Sequence, residues 1–330
     1  MNAHLPDAVT LRTALGLAIR APSVHNIQPW QWRVGTDSLH LYADPARRLM
    51  YTDPDGRDVL VSCGAALNHC VVALAALGWR SKIRRLPNPD EPLHLAAIEV
   101  YPHAADEVDI TLAAAIPRRR TDRRIFSSWP VAHGDISIMG VRAARMGVAM
   151  RHVEPSVDLR AALAQAVWQH IGDAGYLDEL TRWSGRYATA TGVPAFNVPD
   201  SGPHSPIPGR IFAGTAFAQP AEAPAADDHS VLLALGSAQD DDLARLRVGE
   251  ATSLVLLSAT GLGLASCPVT EPLEVPKARA VIRADAFEDR EFPQMLLRVG
   301  WAPINAEPLP STPRLPLDEI VVRLDGARFT

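Results

Sequence analysis

Ala21-Pro22-Ser23-Val24-His25-Asn26-Ile27-Gln28-Pro29-Trp30-Gln31-Trp32 is the stretch around which the chain is organised. Pro22 closes the helical pattern before it, because proline disfavours helix at the residue that precedes it. Ser23, His25, Asn26 and Gln28 then crowd hydrogen-bonding side chains together, and Pro29 and two tryptophans follow. Short donors and acceptors backed by flat apolar rings suit a ligand that is itself a flat ring system edged with nitrogen and oxygen. As a plain buried loop the stretch would cost stability, since each buried polar group needs a partner. A surface turn capped by Ser23 and Asn26, with the tryptophans in the core, accounts for the same residues.

Outward from this stretch, Leu11, Leu15, Ala18 and Ile19 share one face of a helix over 9–20. Leu39-His40-Leu41-Tyr42 reads as a strand closed by Asp44-Pro45. Residues 58–77 are apolar almost all round, which predicts a helix buried on every side. Asp58 suits the dipole at its start, and Gly78 ends it. A strand follows at 92–100. Residues 109–116 form a helical turn leading into 117–126. Residues 135–146 and 158–187 read as amphipathic helices, the second carrying Trp168, Tyr176, Leu180 and Trp183. The proline-rich stretch 191–228 has no clear period, and a loop so long in a compact protein is usually functional or disordered. Within it His204, flanked by prolines, reads equally as solvated or functional. Residues 231–235 read as a strand, 247–263 as a second nearly all-apolar helix, and 295–299 as a last core strand before a proline-rich tail.

The two apolar helices share Gly64-x-Ala66 with Gly249-x-Ala251 and Leu77-Gly78 with Leu262-Gly263, and a strand follows each. This predicts an internal repeat, 1–108 and 109–330. Small apolar matches also arise by chance; the matching order of elements favours the repeat.

Composition narrows the function. The chain has 330 residues, 47% hydrophobic and 21% charged, which fits one large or two ordinary globular domains. A net charge of −5 gives no long-range attraction to nucleic acid or anionic membrane. Three cysteines without close pairing argue against a disulfide framework, and Cys63 and Cys70 read as small buried hydrophobes with no metal cluster nearby. The start lacks a basic leader, and no apolar run approaches the ~18 residues of a membrane span. A cytoplasmic protein is expected.

Arg118-Arg119-Arg120-Thr121-Asp122-Arg123-Arg124 packs five arginines into seven residues. Guanidinium forks match phosphate oxygens, although such runs are usually solvated patches. Gly261-x-Gly263 hints at a dinucleotide loop, but it follows a helix and lacks the third glycine.

The pattern P-S-x-x-N-x-Q-P-W at 22–30 resembles the flavin-binding segment of FMN-dependent nitroreductases, and the form APSVHNIQPWQW looks most like the Acg branch of that family. Arg119-Arg120-Thr121-Asp122-Arg123 resembles the family's R-R-S-x-R element, with Thr121 in the serine position and one extra residue before Phe126. Residues 261–271, ending Pro268-Val269-Thr270-Glu271, look like the turn whose amides pass the flavin N5 edge in relatives. Residues 299–303 and 312–316 resemble the terminal V-G-x-x-P and basic-residue elements, which makes Arg314 a second phosphate candidate.

The resemblance implies an α+β fold with central, mostly antiparallel sheets flanked by helices. It implies FMN held by Pro22, Ser23, His25, Asn26, Gln28, Arg119, Thr121, Arg123, Pro268, Thr270, Glu271 and Arg314. In typical members the two elements come from different subunits. Here the first half carries one and the second half the other, so a monomeric pseudo-dimer with one FMN is expected. Electrons would pass from NAD(P)H or another donor to a small nitro- or quinone-type aromatic acceptor. No acid or base side chain stands out; His25 is a candidate, though a lone histidine is more often a structural hydrogen-bonder. The other reading is a flavin-storing protein with little turnover, its 191–228 segment lying over the flavin as a lid. A third, a non-flavin binding module, predicts colourless protein.

Overall fold

The computed structural model describes residues 4–186, 189–198, 210, 212, 228–303 and 305–329. Helix α1 (Ala8–Ala18) starts where the Asp7 carboxylate accepts the Thr10 N–H at 2.9 Å, and it buries Leu11, Ala14, Leu15 and Ala18. The chain turns through 19–29 into the hairpin β1 (Trp30–Val34) and β2 (Ser38–Ala43), whose alternation buries Trp30, Trp32, Leu39 and Leu41 completely. Helix α2 (Arg57–Ala76) follows, then β3 (Trp79–Arg85) and β4 (His94–Pro102). With β11 (Val321–Arg323) these four strands form a sheet in the order β11-β1-β2-β4-β3, antiparallel except at β11.

Helix α3 (Glu107–Ala115) has a reciprocal capping box between Asp106 and Asp109. After it come α4 (His133–Arg145), β5 (Ala149–Val153), α5 (Val157–Ile171), α6 (Ala174–Trp183) and the short parallel pair β6 (Ser184–Arg186) and β7 (Val193–Pro194). The single helix expected over 158–187 is therefore two. The chain breaks at Gly172-Asp173, and the Asp173 carboxylate accepts the Gly175 and Tyr176 N–H groups to start the second helix. Trp168, expected on the apolar face, is 72% exposed, while Tyr176 and Leu180 are buried.

A second, wholly antiparallel sheet has the order β5-β8-β10-β9, from β8 (Val231–Ser237), β9 (Ala265–Val269) and β10 (Phe292–Gly300). Around it lie α7 (Asp242–Gly261), α8 (Glu271–Glu274) and α9 (Pro276–Phe287). The chain then crosses back. Helix α10 (Leu317–Ile320) delivers β11 (Val321–Arg323) to the first sheet, pairing Val321 with Trp32. The mixed, mostly antiparallel α+β architecture is as expected. The C-terminal residues lie with the sheet of the first half.

Helices α2 and α7 form the spine between the sheets. They meet at Gly64 and Gly249, where a Cβ on either residue would fall 2.1 Å from a backbone carbonyl oxygen of the other helix. One expectation needs correction here. Helix α2 is a 20-residue helix with a window hydropathy of 1.9, long and apolar enough to cross a membrane. Asn68 and His69 interrupt its apolar run without interrupting the helix. In this structure 78% of that window is buried inside the protein, against α7, α1, α3 and the first sheet. Cys63, Cys70 and Cys267 are buried and free.

Candidate functional site

Residues 19–28 leave α1 in an unusual conformation. His25, Asn26 and Gln28 have φ of 46°, 54° and 54°, the left-handed region that costs non-glycine residues of order 1–3 kcal/mol each. Side chains hold them there. Ser23 Oγ accepts the Gln28 N–H at 3.0 Å, and Ser62 Oγ on α2 accepts the Val24 N–H. Asn26 Nδ2 donates to the carbonyls of Gly192 and Pro313. Gln28 Nε2 donates to the Ala190 carbonyl at 2.8 Å, and its Oε1 accepts the Leu315 N–H at 2.9 Å. Asn26 and Gln28 thus tie the turn to two distant segments, 190–192 and 313–315.

Arg314 has a similar role. Its guanidinium donates to five carbonyls, of Ile19, Arg20, Ala21, Thr312 and Pro313, at 2.9–3.1 Å. With its donors so engaged, it staples the tail to the end of α1 and offers a neighbouring anion charge rather than a hydrogen bond. Burial, then Arg119, Arg20 and Arg120, press its pKa down to about 9.

The arginine run divides by environment. Arg118 is exposed. Arg124 grips Asp122 with two N–H groups, at 2.9 and 2.6 Å. Arg120 donates to the Leu309, Pro117 and Arg119 carbonyls. Arg123 donates to the Asn197 carbonyl and lies 4.8 Å from the Phe212 ring centre. Thr121 is half-buried beside them. Arg119 differs from the rest: it is 6% exposed, and its Nε and Nη1 have no partner among the described residues. Arg20 Nε and His69 Nε2 are buried and unpartnered in the same way. Burial, then Arg120 and Arg20, lower the Arg119 pKa to about 10. The buried N–H groups of Arg119 and Arg20, without a counter-charge among the described residues, are donors that an anion would satisfy.

A second cluster starts from His25. Arg210 Nη1 donates to His25 Nε2 at 2.8 Å, so the ring proton sits on Nδ1, which is buried without a partner among the described residues. Burial, then Arg210, Arg123 and His170, hold His25 well below the usual histidine range, so it is neutral. The same guanidinium reaches Thr270 Oγ1 at 3.1 Å, the Tyr176 hydroxyl and the Glu274 carboxylate. Glu271 Oε1 meets His170 Nδ1 at 3.0 Å, with the His170 ring stacked on Tyr176 at 4.0 Å. Pro268, the penultimate residue of β9, pairs with Leu297. The structure therefore gathers His25, Arg123, Thr270 and Glu271 around Arg210 and Tyr176, while Arg119 keeps company with Arg20, Arg314 and His69.

No family model matches the chain. A Mycobacterium tuberculosis protein named “Putative NAD(P)H nitroreductase” is 58% identical over 321 residues, covering 97% of this chain and 93% of its own length. “Putative NAD(P)H nitroreductase acg”, from the same organism, is 34% identical over 326 residues, covering 96% of this chain and 97% of its own. The chain belongs to the nitroreductase family. Among solved structures, a nitroreductase from Anabaena variabilis matches 91% of this chain and 90% of its own, at 9% identity and a TM-score of 0.49. A nitroreductase with bound FMN from Bacteroides fragilis matches 59% of this chain and 90% of its own, at 15% identity and a TM-score of 0.39.

For a nitroreductase chain, the sequence motifs mark the two strands of the site but leave out Arg20, His69, Tyr176, His170, Arg210 and Glu274. Arg20 adjoins the opening motif, and His69 is the one imidazole in a nearly all-apolar helix. Those were the available signals. Arg210 lies in the aperiodic stretch, where nothing marks it out. Of that stretch only 191–198, 210, 212 and 228 are described, and His204 lies outside the described residues.

Proposed function

We propose that this chain binds one FMN and passes two electrons from a nicotinamide donor to a small nitro- or quinone-type aromatic acceptor. The observation that carries the reading is the set of buried arginine N–H groups, without a counter-charge among the described residues, beside the P-S-x-x-N-x-Q-P-W turn. These unpartnered groups, on Arg20 and Arg119, fit a phosphate. Arg314 adds charge from behind and fixes the turn. Beside Arg210 the unpartnered His25 Nδ1–H is a donor for a ring edge, among Arg123, Pro268, Thr270 and Glu271. Bound FMN supplies the redox chemistry, and the protein supplies position and electrostatics. The names of the relatives favour NAD(P)H as donor.

The site draws 22–28 from one proposed half and 119–123 from the other, so the chain works as a fused pseudo-dimer. Flavin titration of purified protein tests this, with one FMN per chain expected; two per chain, or a site that forms only on dimerisation, overturns it. One observation favours storage instead. Arg210, from within 191–228, is fastened to His25, Thr270, Tyr176 and Glu274 at the ring end, where a nicotinamide would have to enter. Anaerobic mixing of the holo-protein with NADPH separates the two readings. Rapid bleaching of the flavin supports turnover. Slow bleaching that Arg210→Ala accelerates supports the lid.

A further inference from the structure

We infer that His69 is an anion ligand of this site, and that it takes up a proton when a flavin phosphate enters beside Arg119 and Arg20. The inference rests on the FMN reading and deepens it.

The tautomer of His69 follows from its neighbours. Its Nδ1 lies 3.1 Å from the Ala65 carbonyl and 2.8 Å from Ser253 Oγ on α7. A carbonyl only accepts, and Ser253 directs its own proton to Asn68 Oδ1 at 2.7 Å. Nδ1 therefore carries the hydrogen, and in the neutral ring Nε2 is a bare lone pair. The other polar side chains of α2 nearby are occupied: Ser62 holds the Val24 N–H and Asn68 holds Ser253. Only Nε2 of His69 is left, fully buried and unpartnered among the described residues.

The charged groups that act on it are Arg119, Arg314 and Arg20, in that order after burial, and all disfavour an imidazolium. They come from the 119–123 run, the tail and the end of α1; from α7 the neutral Ser253 touches His69, and the Glu250 carboxylate is paired with Arg85. Arg119 and His69 are neighbours, yet neither satisfies the other. A tetrahedral oxyanion between them would satisfy both. Its oxygens only accept, so His69 has to present Nε2–H and must gain a proton from solvent. A dianion in direct contact with Nε2 opposes the field of the arginines and favours the imidazolium. Riboflavin, which lacks the phosphate, provides no such field.

The proton is counted by calorimetry at pH 7.5 in buffers of different ionisation enthalpy. A phosphate monoester is already mostly dianionic there, its second pKa being near 6. FMN is expected to take up close to one proton per site and riboflavin none. Nitrogen-15 shifts of the His69 ring in the unmutated protein should move from the neutral Nδ1–H form to imidazolium on adding FMN. His69→Gln should abolish the uptake while keeping a neutral donor. His69→Leu should weaken FMN by tenfold or more and leave riboflavin unchanged. Uptake that is absent in the wild type, or the same in His69→Gln, overturns the inference while leaving FMN binding intact. If FMN does not bind, or binds no better than riboflavin, the phosphate reading falls and the role of His69 falls with it.

Discussion

Gly64→Ala is a sharp test of how the two sheets are joined. A Cβ at Gly64 falls 2.1 Å from the Leu246 carbonyl oxygen, 2.9 Å from Gly249 Cα and 3.0 Å from the Glu250 nitrogen. All three are backbone atoms in the N-terminal half of α7, so no rotamer change relieves the clash. Restoring a contact of roughly 3.4 Å from 2.1 Å requires the helices to part by about 1.3 Å. Two effects compete. Alanine favours a helix interior over glycine by about 1 kcal/mol. Overpacking costs about 1–3 kcal/mol, and a gap of ~1 Å already forfeits up to half of each neighbouring dispersion contact. The spine is buried along most of its length, so many contacts are lost together. The loss should win, with a net destabilisation of about 1–2 kcal/mol.

The same parting stretches the Ser253 bonds to His69 and Asn68, so flavin affinity should fall with stability. Urea denaturation reads the first effect as a lower midpoint at unchanged slope, and fluorescence titration reads the second. A Gly64→Ala protein about 1 kcal/mol more stable than wild type would mean that helix propensity alone decides and that the close crossing is not real. The double variant Gly64→Ala/Gly249→Ala should cost less than the sum of the singles, since one substitution already opens the gap for the other.

Arg119→Met should weaken FMN by about 10–100-fold, as loss of a charged hydrogen bond does, and leave riboflavin alone. Its apo form should be at least as stable as wild type, because an unpaired buried charge has gone; flavin titration and thermal melting check both. Arg314→Met should behave in the opposite way, losing on the order of 3 kcal/mol of stability with its carbonyl bonds, as read by urea denaturation. A stable Arg314→Met protein with selectively weak FMN binding would make Arg314 a direct phosphate ligand instead of a staple. Asp53 accepts the Asp58 and Val59 N–H groups at the start of α2, and burial, then Asp58, raises its pKa to about 7. A raised carboxyl binds more protons folded than unfolded, so its contribution is present at low pH and is lost as pH rises from about 4 to 7. Stability of wild type relative to Asp53→Asn should therefore fall between pH 5 and 7.5 in urea melts; a rise across that range would be the wrong sign.

The elements legible in the sequence are those whose burial is regular. Helices α2 and α7 announce themselves because they are apolar on nearly every face, and β2, β4, β8 and β10 because at least one face is buried. Strand β3 was not legible: Arg80, Lys82 and Arg84 point to solvent while Trp79, Ser81 and Ile83 are only half-buried, so its alternation lacks an apolar side. Strand β11 has three residues, and its place in the first sheet depends on a crossing that no local pattern encodes. Helix α9 was hidden by its charges and by a proline that serves as its first residue.

The site was legible as a list and not as a division of labour. The motif residues look like ligand contacts, yet Ser23, Asn26, Gln28 and Arg314 use their hydrogen bonds on the protein's own backbone. The reason lies in the turn they build. Three left-handed residues within four positions do not persist unless something over-determines them. The polar side chains that a flat ligand would want are the same ones needed to hold that backbone. Among the described residues, the atoms left unpaired include N–H groups of Arg119, His25 and Trp30, which the motifs name, and Arg20 Nε and the bare His69 Nε2, which they do not. In this chain the motif side chains hold the turn, and the proposed ligand contacts fall on buried atoms that the chain itself leaves unpaired. The motifs list Arg314 and Gln28, whose hydrogen bonds here go to the chain's own backbone, and pass over His69 on α2.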